Sequence, residues 1–537
     1  MAAGTIRQPP PAPLQASPEI HPRQRGAGTH ISPDSPSYKW WVAVTVMLNA
    51  FIVIMNNATV NLALPPIMTT FSMNLDQVQW VINAYMIAGA VIVPTVGWLG
   101  NVMGNRNLLF ISLSIFVVSS VLCGLAWSGN SLIFFRLLQG LGGGPVMPMA
   151  MVFLTQTFPP HQRGLAMGLY GLGMSCGPVV GPVLGGYVTE YLHWRMVFYL
   201  NILPGIIGIV LVLLVIPNTR ETIKRHLDLP GLTTLTVFLV SLLIALSQGQ
   251  RYGWDAPLTQ RLLVTAALSF VAFLAIELYR KEPLVDLRLF NNLAFSAVSV
   301  ALFVTAMGFW GTNFLQTFLL QRLFDYTPAQ AGYIVLPGAL TMALTTVVAG
   351  RLVDKVERRL VVYAGLGMFI AATYAFSFLS LDRPTSWMIS MIVARYFTMG
   401  FIFIPMAAAA VMVLRPDQVR MGSGLVNLIQ HGLGGTMGLA LMTTVLQRRT
   451  TYHSGILAQE QAASPLPWPD VVAPVNDLLL HAGEVGGMME TKTLAMVQRH
   501  LVQQSSVAAY QDCFMLVVIL CLAVAPLILF MRQRRAA

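Results

Sequence analysis

Again and again this chain runs through about twenty consecutive apolar residues, and a run of that length crosses the ~30 Å hydrocarbon layer of a bilayer as a helix. Within lipid only helices and closed barrels satisfy their own backbone groups, so the runs restrict the fold severely. Fourteen are legible, near 40–64, 78–100, 107–127, 131–155, 164–189, 196–216, 229–248, 260–280, 293–320, 330–350, 360–380, 386–412, 421–446 and 510–531. Only 10% of the 537 residues are charged, whereas soluble domains carry about 25%. The expectation is an all-α polytopic membrane protein. Six spans fill 40–216, an inserted pair with its linkers fills 217–292, and six more fill 293–531. A Pro-, Ser- and Gly-rich tail, 1–39, is expected to be disordered, and 532–537 form a short second tail. The first span is too long for a signal segment and reads as a retained anchor.

Lys and Arg set the orientation. With the amino terminus in the cytoplasm, roughly 21 of the 32 fall on the cytoplasmic side, including Arg106, Arg163, Arg220, Arg351, Arg358 and Arg359. Both termini are therefore expected to be cytoplasmic, in an inner membrane. The net charge of +11 reflects this bias together with contact to anionic lipid; no basic run adjoins a soluble domain, so no nucleic-acid partner is expected. Cys123, Cys176, Cys513 and Cys521 lie in or beside spans at no metal-ligand spacing, so neither a disulfide framework nor a metal site is implied. Nor does the chain carry a phosphate-binding Gly-Lys-Ser/Thr loop, and no cofactor is expected.

The fifth span carries Gly173, Gly177, Gly181 and Gly185 on one helical stripe, with Gly186, Pro178 and Pro182 beside it. Small residues every fourth position admit a second backbone at close range. Gly97, Asn101, Gly104 and Arg106 follow the second span; Gly350, Asp354, Arg358 and Arg359 follow the tenth with a similar pattern, as a repeat about an axis along the membrane normal would give. The fourth span adds Arg136-Leu-Leu-Gln-Gly140 and the turn into the sixth adds His193-Trp-Arg-Met-Val-Phe-Tyr-Leu-Asn-Ile-Leu-Pro204.

Taken together these segments resemble the fourteen-helix drug:proton antiporter branch of the major facilitator superfamily, over about 40–530, and in the first half the inner-membrane permeases of tripartite efflux systems. The resemblance implies two six-helix bundles around a central cavity, an inserted helix pair, and alternating access driven by protons. Two departures stand out. Asn101 and Val102 replace the Asp and Arg of the family's first cytoplasmic loop, leaving any electrostatic latch to Asp354, Lys355, Arg358 and Arg359. In the first span Asn56 occupies the position of a family Asp, and an amide carries no proton.

Titratable or charged groups inside the spans are few: Glu190, Glu277 and Asp512 lie at span ends, leaving Arg136, Arg395 and His431 embedded. Arg136 either exchanges hydrogen-bond partners or snorkels to the interface, and Arg395 is either functional or an interface anchor. His431, about nine residues into its span, is a proton carrier or a neutral interhelical hydrogen-bonding group. Asn49, Asn56, Asn57 and Asn61 are costly in one lipid-embedded helix unless they line water or pair across helices. Gln139, Trp310, Asn313, Gln316 and Gln430 would extend that polar lining. Expected partners are thus a small amphipathic substrate, protons and lipid. The segment 447–509, long and outside the membrane, suits a periplasmic adaptor leading to an outer-membrane channel, or a lid. Proton-driven export of amphipathic compounds is the leading reading. Export of a specific anionic or lipid-like metabolite with non-standard coupling, and a receptor or scaffold, stay open; an enzyme lacks a site.

Overall fold

The computed structural model describes residues 35, 37–159, 162–217, 228–280, 287–353, 356–414, 418–463 and 488–531, with 473, 477 and 481 as single residues. Residues 1–34, 532–537, Asp354 and Lys355 lie outside the described residues. The chain forms α1 (Tyr38–Thr70), α2 (Leu75–Ile92), α3 (Val96–Met103), α4 (Asn105–Gly124), α5 (Gly129–Gly143), α6 (Val146–Thr157), α7 (Arg163–Tyr191), α8 (Met196–Tyr199) and α9 (Ile202–Val215). There follow α10 (Leu229–Tyr252), α11 (Pro257–Tyr279), α12 (Leu293–Phe318), α13 (Pro328–Val353), α14 (Arg358–Ala375), α15 (Thr385–Met412), α16 (Val419–Asn427), α17 (Gly434–Ala463) and α18 (Met488–Val524).

Local signals account for many boundaries. Asn74 and Gln77 close a reciprocal capping box at α2, and Ser128 and Ser131 do so at α5. The run Gly142-Gly143-Gly144-Pro145 interrupts one span into α5 and α6, because glycine and proline are the weakest carriers of a continuous helix. Gly104, at φ 86°, makes the turn between α3 and α4 in a region that a side chain would strain. Among the described residues twelve helices are long and apolar enough to cross a membrane. The fifth and thirteenth expected spans fall at α7 and α16–α17, both helical.

Within the first half α7 packs along α1, α5 along α2 and α4, and α9 along α4 and α1; within the second, α13 and α14 pack on α15, and α12 and α18 on α17. The inserted α10 and α11 pack chiefly on each other, and α10 leans on α2 and α17, one helix from each half. The architecture is two six-helix bundles with an inserted pair. It differs from the sequence reading in the segment 447–509, whose flanks continue as helix: α17 runs to Ala463 and α18 starts at Met488.

Hydrogen bonds identify which loops share a face. Lys39 donates to Gln162, Arg106 to the Leu213 carbonyl, Asn292 to the Val413 carbonyl and Arg359 to the Met531 carbonyl, gathering one face around the start of α1. Trp194 donates to Thr70, Arg195 to the Ala126 carbonyl and Gln511 to the Leu379 carbonyl on the opposite face.

Candidate functional site

The fifth-span glycine stripe meets α1. A methyl added at Gly177 would lie 2.5 Å from Ile54 Cγ2, at Gly181 2.5 Å from Ala58 Cβ, and at Gly185 2.8 Å from Thr59 Cα; Gly173 faces Met47 at 3.3 Å. These glycines pack the first half against itself. Gly186, one residue off the stripe, faces the other half: a methyl there would lie 2.5 Å from the Pro328 carbonyl oxygen, and one at Gly332 would lie 2.4 Å from that of Pro182. The helix α7 is unbroken at Pro178 and Pro182.

Among the described residues, polar contacts between the halves gather at the same face. The Ala329 amide donates to Glu190 at 2.9 Å, Gln321 to the Leu62 carbonyl at 3.1 Å, Thr443 to Gln79 at 3.0 Å and Gln447 to Asp76 at 2.6 Å. At the face around the start of α1, a methyl at Gly97, Gly350 or Gly424 would meet no atom of the described residues within 4 Å.

Between these faces, in the first half, lies a buried network built from α1, α2, α4, α5 and the start of α9. Arg136 is fully enclosed. Its Nε donates to the Val81 carbonyl at 2.8 Å and its Nη1 to Gln139 Oε1 at 2.6 Å. Gln139 in turn donates to Ser120 Oγ at 2.6 Å and to Asn56 Oδ1 at 3.3 Å, and Asn201 donates to the same Asn56 oxygen at 2.9 Å. The Tyr85 ring lies 4.4 Å from the guanidinium carbon and that of Phe198 5.9 Å away. A desolvated cation over an aromatic face contributes ~2 kcal/mol, which offsets part of the several kcal/mol that burying the charge costs. Arg136 Nη2 and Asn56 Nδ2 have no hydrogen-bond partner among the described residues. Arg136 is therefore enclosed rather than snorkelling.

The structure brings Asn56, Arg136 and Gln139 together and places the other expected residues elsewhere. Asn49 is buried against Gly208 of α9, and Asn57 and Asn61 are half-buried on another side of α1. On α12, Trp310 and Asn313 are half-buried, with the Tyr396 hydroxyl donating to Asn313 at 2.5 Å, while Gln316 accepts from Arg395 at 2.9 Å. Gln430 and His431 fall in a π-helical turn, Leu428–Leu433, between α16 and α17; such turns recur at functional sites. Gln430 is buried, and the His431 side chain lies outside the described residues. The side chain of Asn101 also lies outside them. Arg358 and Arg359 open α14. Outside the spans, burial first and the Arg195 guanidinium second push the His193 imidazole below its ordinary value.

Sequence reasoning did not assign Asn201 or Ser120 to the site. Asn201 stands in the quoted Tyr-Leu-Asn-Ile-Leu-Pro stretch as a lone amide among apolar residues, which is the signal that could have found it. Ser120 carried none. An apolar groove of about 400 Å³, lined by Phe51, Met55, Leu184, Leu192, Met196 and Leu203 among others, lies on the flank of α1, α7 and α9, apart from the amide network.

Two helical bundles pack on each other through α7 and α13 and through α2 and α17, with their mutual hydrogen bonds at one face and a polar network enclosed in the first half. The chain belongs to the Major Facilitator Superfamily, whose family model matches residues 46–439. It is 27% identical over 481 residues to the multidrug export protein EmrB of Escherichia coli strain K12, covering 88% of this chain and 91% of that one. To the fatty acid resistance protein FarB of Neisseria gonorrhoeae it is 28% identical over 497 residues, covering 91% and 95%. The fold matches a solved bacterial homolog of the human lysosomal transporter Spinster, in an inward-facing and unoccupied conformation, with a TM-score of 0.61 at 18% identity, covering 94% of this chain and all of that one.

Proposed function

We propose that the chain exports small amphipathic compounds across the cytoplasmic membrane by proton antiport, with both termini in the cytoplasm. On this reading 40–216 and 293–531 are the two moving bundles, 217–292 is an insertion between them, and the contacts of Gly186 and Gly332 form the outer gate of an inward-facing state. The observation that carries the reading is the grouping, among the described residues, of inter-half hydrogen bonds at one face. Halves held at one end can rock to close at the other. The name of EmrB supports drug efflux as the task.

A second reading has its own support. Asn56 stands fully buried and accepts two amide hydrogen bonds beside Arg136, so this part of the interior presents a cation with no carboxylate. That electrostatics favours anionic or lipid-like amphiphiles with coupling placed elsewhere, and the name of FarB agrees with such cargo. His431 is then the proposed proton carrier, and helical extensions flanking 464–487 form the proposed docking surface for a periplasmic adaptor.

The test is substrate counterflow in proteoliposomes with a panel of cationic, neutral and anionic amphiphiles. Protein-dependent exchange of any class supports transport and ranks the two readings. Specific binding without exchange of any compound would make the chain a receptor.

A further inference from the structure

Arg395 is the second fully enclosed guanidinium among the described residues, and the first half's network does not include it. It stands on α15, the fourth spanning helix of the second bundle, as Arg136 stands on the fourth of the first. Its Nη2 donates to Gln316 Oε1 at 2.9 Å, while Nε and Nη1 have no hydrogen-bond partner among the described residues. The rings of Phe376 and Phe514 lie 5.4 Å and 5.8 Å from the guanidinium carbon. Arg136 shows the same design: one side-chain amide partner, flanking rings and an unpartnered Nη nitrogen.

Among the described residues neither arginine has an anion. The helices α12, α13, α14 and α15 contain no Asp or Glu at all. Asp512, on the adjacent α18, is already engaged by Arg449 Nε at 2.5 Å and His453 Nε2 at 2.6 Å. A guanidinium keeps its proton, so Arg395 holds an uncompensated charge with two unmet donors in a site that costs several kcal/mol to occupy. Packing alone would be served better by Leu or Met. Trp310 and Asn313, half-buried on α12, adjoin this group through Tyr396, the residue next to Arg395.

We propose that Arg395 is an anion-binding residue of the second bundle: in a conformation that parts α12 from α15, its unmet donors receive the carboxylate or sulfonate head group of an anionic amphiphile, with Phe376 and Phe514 against the apolar body. The inference rests on the reading of the chain as an amphiphile exporter. Arg136 and Arg395 then serve as repeat-related stations for a negative head group, and discrimination between anionic and neutral cargo resides in them.

The experiment compares wild type, Arg395→Gln and Arg395→Lys with two probes: taurocholate, a permanently anionic amphiphile, and chloramphenicol, a neutral one. In proteoliposome counterflow Arg395→Gln is expected to lose taurocholate exchange at least tenfold and to keep chloramphenicol exchange within about twofold, with Arg395→Lys intermediate. Equal loss of both probes, or of neither, would overturn the assignment in favour of a structural arginine. Binding is read separately as the rise in thermal stability that taurocholate gives the solubilised protein. Wild type and Arg395→Lys are expected to show a rise and Arg395→Gln none; no rise in wild type, or an equal rise in all three, also overturns it. Taurocholate-dependent stabilisation without exchange of either probe would sink the exporter reading while leaving the site standing.

Discussion

Substituting Gly186 or Gly332 by alanine should move the transporter between states rather than unfold it. Each methyl would stand 2.5 Å or less from a backbone carbonyl oxygen of the opposite half, Pro328 for Gly186 and Pro182 for Gly332. A comfortable C···O contact is about 3.3 Å, so the halves must separate by most of an ångström at this face or strain α7 and α13. Overpacking of that kind costs about 1–3 kcal/mol. Because the close approach exists only while this face is closed, the cost falls on one conformation and shifts the equilibrium between the two by about 5- to 150-fold. Gly177 supplies the internal control: its methyl would meet Ile54 of its own half at 2.5 Å, so Gly177→Ala should lower thermal stability without favouring either state. The assay is maleimide labelling of a cysteine introduced at Gln79, in a background lacking the native cysteines. Gly186→Ala and Gly332→Ala should raise the labelling rate at least fivefold and Gly177→Ala should not. Unchanged labelling in both gate variants, with unaltered thermal stability, would refute the reasoning.

Further outcomes follow from the buried network and the spans. Asn56→Leu removes the shared acceptor of the Gln139 and Asn201 amides, which keep only Ser120 Oγ and the Phe198 carbonyl, at a cost of about 0.5–1.5 kcal/mol per lost bond, and should lower the unfolding midpoint of the solubilised protein; an unchanged midpoint would mean that water or rearrangement replaces the bonds. Asn56→Asp should extend export toward lipophilic cations, because a carboxylate in a partly dry interior attracts a cation far more strongly than an amide does; resistance profiling against quaternary ammonium dyes checks it. Replacing 464–487 by a short Gly/Ser linker should spare transport in proteoliposomes while abolishing co-purification with an adaptor and cellular resistance. Full protection by the shortened protein would show that the chain works alone.

How much could be read in advance varied with the physics of each feature. The spans were legible because lipid imposes length and apolarity on every crossing, and the fifth-span stripe announced close packing because four-residue spacing fixes one helical side. Which backbone fills that stripe was not legible: α1 takes Gly177, Gly181 and Gly185, while Gly186, turned by 100°, meets α13. Arg136 and Gln139 were found as embedded polar groups three residues apart. Their link to Asn56 and Asn201 depends on bringing α1, α5 and α9 together, and no local pattern encodes that. The continuation of α17 and α18 beyond the membrane was hidden for a different reason: helices in water are polar and mixed, and the loss of apolarity after Leu446 reads as a loop although the backbone stays helical to Ala463.

The central claim, proton-driven export, is tested most directly by uphill movement. Purified protein in sealed proteoliposomes is given equal concentrations of a transported amphiphile on both sides and an imposed pH difference. Wild type should accumulate the compound on the acidic side, a protonophore should dissipate the accumulation, and His431→Ala should exchange compound without accumulating it. Exchange by wild type with no accumulation at any imposed pH difference would contradict proton antiport.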